Sequence, residues 1–132
     1  MVYIPDKLRE LVVDRAKGLC EYCQTNSSIV VYMEIDHIKP VSKGGKTETN
    51  NLCLACVNCN RAKSDIGTTD NILFNPRTDD WHEHFQWDET ATRLLGLTSK
   101  ADTTITRLNI NTNPVVKARK FWVQAGWHPP QI

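Results

Sequence analysis

An α+β fold is predicted by three observations. The apolar pattern changes along the chain, from helical spacing over residues 6–17, to β-branched and aromatic residues over 29–37, and back to helix formers after Val57. Two CxxC pairs, Cys20-Glu21-Tyr22-Cys23 and Cys56-Val57-Asn58-Cys59, enclose 32 residues, long enough to hold structure of their own. No window approaches the ~20 uninterrupted apolar residues of a membrane span.

The first helix is expected over residues 6–17, with Leu8, Leu11, Val12 and Ala16 on one face, Asp6 as N-cap after Pro5, and Gly18 as terminator. It delivers the first cysteine pair. Gln24 to Ser28 reads as a polar turn, Ile29 to His37 as a strand, and Pro40 to Asn50, with Gly44-Gly45, as an irregular loop. Asn51 to Ala55 is a second short strand and Val57 to about Ile66 a helix. Strand, loop, strand and helix make a ββα unit. Beyond it, 71–80 reads as loop, Phe85–Trp87 and Thr92–Leu97 as short paired strands, and 99–108 and 114–125 as helices. Asn113-Pro114 opens the last helix and Gly126 stops it. No linker divides the halves, and the aromatics of the second half (Phe74, Trp81, Phe85, Trp87, Phe121, Trp122, Trp127) read as completing a shared core. The expectation is therefore one domain over 1–132, with a core at about 18–66 and an extension at about 67–132 packed on it.

Composition narrows the class. The chain has 132 residues, 16 Lys+Arg against 15 Asp+Glu, 40% hydrophobic and 23% charged residues, so disorder and a global electrostatic field are both excluded. Met1 to Asp6 lacks a basic then apolar leader, and the chain reads as cytoplasmic with no membrane partner.

All five cysteines lie between Cys20 and Cys59, an odd number without an export signal, which argues against a disulfide framework. Paired CxxC motifs supply four thiolates to one tetrahedral Zn²⁺: Cys20, Cys23, Cys56 and Cys59. Cys53 is the spare, because Asn51-Leu52-Cys53-Leu54 reads as strand while Cys56 and Cys59 straddle a helix start. A redox pair or buried free thiols are the competing readings. Four sulfurs close the zinc shell, so the role is structural.

Between and just after these pairs stand Asp36-His37-Ile38-Lys39-Pro40, Gly44-Gly45, Asn51-Leu52 and Cys59-Asn60-Arg61-Ala62-Lys63. The pattern, with Asn51 fourteen residues after His37 and Asn60 nine further on, resembles the zinc-bearing branch of the His-Asn-His (HNH) endonuclease family over about Cys20 to Lys63. More loosely, the tail from Phe74-Asn75-Pro76-Arg77 to Trp127-His128-Pro129-Pro130 is similar to small bacterial, notably cyanobacterial, members. The resemblance implies a ββα-metal fold and a DNA endonuclease needing no organic cofactor. His37 would be the general base that deprotonates water, Asn51 would orient it, and Asp36 with Asn60, which stands where the family often has His, would bind one Mg²⁺ or Mn²⁺. Only Asp36 is certain among carboxylates, hence one catalytic ion rather than two.

Neighbours Asp36 and His37 point to opposite faces of a regular strand, so the strand is expected to twist sharply or end there. Glu34 shares a face with Asp36 and stands as a supporting group or a solvated carboxylate. Lys63, three residues after Asn60, is expected to meet a phosphate, with Lys39, Lys43 and Lys46 on the loop beside it. Lys117, Arg119 and Lys120 read as solvated surface of the last helix. Trp81-His82-Glu83-His84 reads as ordinary histidines in preference to a second metal site. The alternatives to an endonuclease are a zinc-stapled DNA-binding module without catalysis and a zinc-stapled protein-interaction domain.

Overall fold

A computed structural model describes residues 2–30, 32–66 and 72–131. Its elements are α1 (Asp6–Arg15), β1 (Met33–His37), β2 (Leu52–Cys56), α2 (Val57–Lys63), α3 (Trp81–His84), β3 (Phe85–Trp87), β4 (Leu94–Gly96), α4 (Ser99–Arg107) and α5 (Asn113–Gln124). Two antiparallel two-stranded sheets, β1-β2 and β3-β4, are combined with helices, an α+β arrangement in which hairpin and α2 form a ββα unit. Among the described residues no helix is long and apolar enough to cross a membrane.

Helix α1 begins one residue differently from expectation. Asp6 lies inside the first turn, where its carboxylate faces the positive helix end, and the cap is Pro5, whose carbonyl accepts from the amides of Leu8 and Arg9. After Arg15 the chain turns through Lys17 and Gly18, both with positive φ. β1 is shorter than 29–37. Its partner β2 is five residues long, the register runs from Met33 opposite Cys56 to His37 opposite Leu52, and past Cys56 the chain becomes α2, so Ile29 and Val30 have no strand to pair with and turn back on Asn26.

The hairpin is covered on both faces. Val12 of α1 and Ala16 just past its end pack with Leu52 and Leu54 on one side, while α2 covers the side that carries Glu34, Asp36, Cys53 and Ala55. The larger buried cluster joins Cys20, Tyr22, Cys53 and Ala55 to Phe74, Phe85, Leu94, Leu108 and Ile110, so the extension and the ββα unit share one apolar interior. Trp81 and Trp87 pack against that cluster, whereas Phe121 and Trp127 are exposed. Asn71 of the expected loop lies outside the described residues; the loop runs through turns to Asp80, and 81–84, read only as a histidine pair, forms the short helix α3 capped by Asp80. Helix α5 is capped by Thr112, which places Asn113 and Pro114 in its first turn, and ends before Gly126 at φ 79°.

Candidate functional site

Two centres are built on the ββα unit, one of sulfur and one of oxygen and imidazole. The sulfur centre gathers the Sγ atoms of Cys20, Cys23, Cys56 and Cys59, all within 4.8 Å of one another and all buried. Both pairs use the same turn: the Cys23 amide donates to Cys20 Sγ (3.5 Å) and the Cys59 amide to Cys56 Sγ (3.4 Å). Cys56 is thereby the last residue of β2 and the cap of α2. A tetrahedron with Zn–S of ~2.3 Å has edges of about 3.8 Å. Cys23 Sγ and Cys56 Sγ are 3.7 Å apart, so the donor set fits zinc in number, chemistry and size.

Burial and the neighbouring thiols push Cys20 up, and the cluster's own thiols push Cys59 up. Cys23 is pulled down by hydrogen bonds from those thiols. A metal replaces the protons of this network. Cys53 is not part of it: its sulfur lies 3.7 Å from Asp36 Oδ2. Among the described residues no other group of three or more His, Cys, Asp or Glu converges in this way. His84 bonds Thr98 Oγ1 through Nδ1 (2.7 Å), and His82 is exposed.

The second centre is organised around His37. β1 stays paired through His37 and ends there, the second of the two expected outcomes, and the side chains of Asp36 and His37 lie on opposite faces of the hairpin. Asp36 is 4% exposed and faces α2. Its Oδ1 accepts from Lys63 Nζ (3.1 Å) and its Oδ2 from the Tyr22 hydroxyl (2.6 Å). Burial raises the Asp36 carboxyl above its ordinary range, against the pull of Lys63 and Tyr22. Asn60 does not meet Asp36; its Nδ2 donates to Glu34 Oε1 (3.2 Å), and Arg61 pairs with Glu34 Oε2 at 3.5 Å.

Lys63 also differs from expectation. It has the right helical face for Asn60, but that face is turned to the hairpin. Its side chain is fully buried, with Nζ donating to the His37 carbonyl (3.1 Å) as well as to Asp36. Lys39, Lys43 and Lys46 are exposed on the loop.

Asn51, from the turn before β2, holds the chain just beyond His37. Its Oδ1 accepts from the Lys39 amide (2.8 Å), its Nδ2 donates to the carbonyls of Lys39 (3.1 Å) and Lys46 (2.8 Å), and its own carbonyl accepts from the Ile38 amide (2.9 Å). The loop closes tightly enough that a Cβ on Gly45 would sit 1.7 Å from the Lys39 carbonyl oxygen, while Gly44 turns at φ 88°. The His37 ring is held by Thr47, Nε2 to Oγ1 at 2.8 Å. Burial lowers His37 below the ordinary imidazole value, so the neutral ring dominates at pH 7.

Arg9, Tyr32, Glu34, Ile35, His37 and Asn60 line a 290 Å³ cleft along the unpaired edge of β1. Neutral imidazole, a part-exposed carboxylate and an amide share this cleft with arginine. The arrangement can take a proton from water, offer oxygen to a hard cation and meet an anion.

Sequence reasoning missed Thr47 and Tyr22 because nothing local marks them. Thr47 is one hydroxyl in a polar loop, and Tyr22 lies within a cysteine pair fourteen residues before Asp36.

Residues 20–65 match the family model described as HNH endonuclease. The chain is also 33% identical over 66 residues to the Type IV methyl-directed restriction enzyme EcoKMcrA of Escherichia coli (strain K12), a match covering 46% of this chain and 24% of that protein. The chain thus spans about a quarter of the length of this relative.

Proposed function

We propose, proceeding from the HNH endonuclease match over residues 20–65, that this protein is a metal-dependent nuclease hydrolysing phosphodiester bonds in DNA, with His37 as general base. The observation that carries the reading is the bracing of His37 in the cleft. Its carbonyl is held by Lys63, its successors Ile38 and Lys39 by Asn51, and its ring by Thr47. In the tautomer whose Nε2–H donates to Thr47 Oγ1, Nδ1 is the nitrogen left to accept the proton of an attacking water. A base fixed from three sides loses little orientational entropy at the moment of reaction.

When bound, a divalent ion such as Mg²⁺ or Mn²⁺ supplies positive charge for the phosphorane and the leaving 3′ oxygen. Oxygen donors suit such an ion, and Glu34 with Asn60 offer them at the cleft. Asp36 offers none in this arrangement, since it is buried between Lys63 and Tyr22 and does not reach the cleft, whereas Glu34 is part-exposed there. The proposed ligand pair is therefore Glu34 and Asn60, with Asp36 acting through Lys63 on the His37 backbone. Arg9, lining the cleft, and Lys39, Lys43 and Lys46, exposed beside it, meet DNA phosphates without reading sequence. Zinc in the four-cysteine centre keeps a closed shell and takes no part in the chemistry.

The test is nicking of supercoiled plasmid by zinc-replete protein with Mg²⁺, Mn²⁺ or EDTA, beside His37→Ala and Glu34→Gln. Divalent-dependent nicking should fall roughly 10²–10⁴-fold in His37→Ala, the span of general base catalysis. Glu34→Gln should raise the divalent concentration needed for half-maximal rate. No nicking by the wild type on any DNA form, or equal nicking by His37→Ala, sinks the reading and leaves a zinc-stabilised DNA-binding module.

A further inference from the structure

Arg119 reads in the sequence as one of three basic residues decorating the last helix. In the structure it is 1% exposed. Its guanidinium donates to the carbonyls of Thr92 (2.9 Å) and Ile110 (2.8 Å) and to Asn111 Oδ1 (3.1 Å), and lies 5.1 Å from the centroid of the Trp87 ring. All three acceptors are neutral, and Nε has no partner. Among the described residues no carboxylate lies within ion-pairing distance of it. An aromatic face and neutral carbonyls solvate a cation only in part, and a buried charge without a counter-charge is among the costliest features a fold can carry.

The four-cysteine centre is a source of negative charge close by. Arg119 lines the same 480 Å³ cavity as Cys23, Cys56 and Cys59, which α5 and the cysteine turns border together. Burial lowers the guanidinium's affinity for its proton, and the four cysteines together act to restore it. Four thiolates around one divalent ion leave a formal charge of about −2. Among the described residues the other fully buried Lys or Arg, Lys63, is already paired with Asp36.

We propose that Arg119 is the counter-charge of the metal-loaded Cys20, Cys23, Cys56 and Cys59 cluster, so that seating of α5 and retention of the metal are coupled. The coupling is reciprocal: whatever the guanidinium adds to metal affinity, the metal adds to the docking of α5. The inference concerns the sulfur centre alone and stands independently of the nuclease reading.

The test uses the full zinc-loaded chain with Arg119→Met and Arg119→Lys. Zinc affinity and release are read by competition with a chromophoric chelator, and four-thiolate coordination by the Co²⁺ charge-transfer band. Arg119→Met should bind zinc 10–100-fold more weakly, the usual cost of removing a group that supports metal ligands. Arg119→Lys, which keeps the charge but not the three-way fork, should stay within about threefold of the wild type. An Arg119→Met protein that does not fold, beside an Arg119→Lys protein that keeps its zinc, supports the same coupling. The proposal is overturned if Arg119→Met holds zinc as the wild type does. It is equally overturned if Arg119→Lys falls as far as Arg119→Met or does not fold, since the role would then be tethering the Thr92 and Ile110 carbonyls.

Discussion

At the scale of single residues, His37 shows how a side chain becomes a base at neutral pH. Part burial disfavours the imidazolium, Asp36 pulls the other way through its charge, and Lys63 reinforces burial; the balance lowers the pKa. The active form is then the neutral ring, present above the folded pKa and lost as pH falls through it. Under the proposed chemistry, the single-turnover nicking rate at saturating divalent ion should be flat from pH 7 to 8 and decline below about pH 6.5, the ordinary imidazole value. A rate still climbing tenfold per unit above pH 7.5 would place the titrating group elsewhere. Asn51 acts at the same scale, but on backbone: it braces Lys39 rather than the imidazole itself.

Between elements, the pairing of α2 with β1 decides which residues meet. Three residues of helix advance about 4.5 Å and two of strand about 6.8 Å, similar enough for the rows to run side by side. Asn60 and Lys63 therefore match Glu34 and Asp36 in order. The match turns Lys63 away from solvent and makes Asp36 its counter-ion. Lys63→Met should cost about 3–5 kcal/mol in urea unfolding of zinc-replete protein, because it strands a buried carboxylate. Adding Asp36→Asn should recover part of the loss. A single variant as stable as the wild type would show that the pair carries no such burden.

For the molecule as a whole, the sulfur centre stands inside the core and not at its margin. The four cysteines belong to the same buried cluster as Phe74, Phe85, Leu94 and Leu108. The extension grips the first cysteine turn: Trp81 Nε1 donates to the Tyr22 carbonyl (2.9 Å), Trp87 Nε1 to Gln24 Oε1 (3.0 Å), and Arg77 pairs with Glu21. Stripping the metal with a strong chelator should therefore abolish the near-ultraviolet circular dichroism of the tryptophans together with the far-ultraviolet helix signal, in one transition restored by Zn²⁺. Retention of the tryptophan signal in metal-free protein would mean that the extension folds on its own.

Short spacing and residue type were enough to specify the local features. The two CxxC turns, the ββα order, the β3-β4 pair and both long helices of the extension were legible in the amino-acid sequence because turns, periods and caps are local. The choice of Cys53 as the cysteine outside the cluster was legible for the same reason: its neighbours read as strand while Cys56 and Cys59 straddle the start of a helix. Side-chain partners, by contrast, emerged only with the packing of elements. Glu34 rather than Asp36 meets Asn60, Lys63 is core rather than surface, and Arg119 is a buried cation rather than a decoration. Each of these depends on the face one element presents to another distant in the chain. A buried charge is placed by the desolvation and pairing of its neighbours in space, and for both Lys63 and Arg119 one such neighbour, Asp36 or Thr92, lies 27 residues away along the chain.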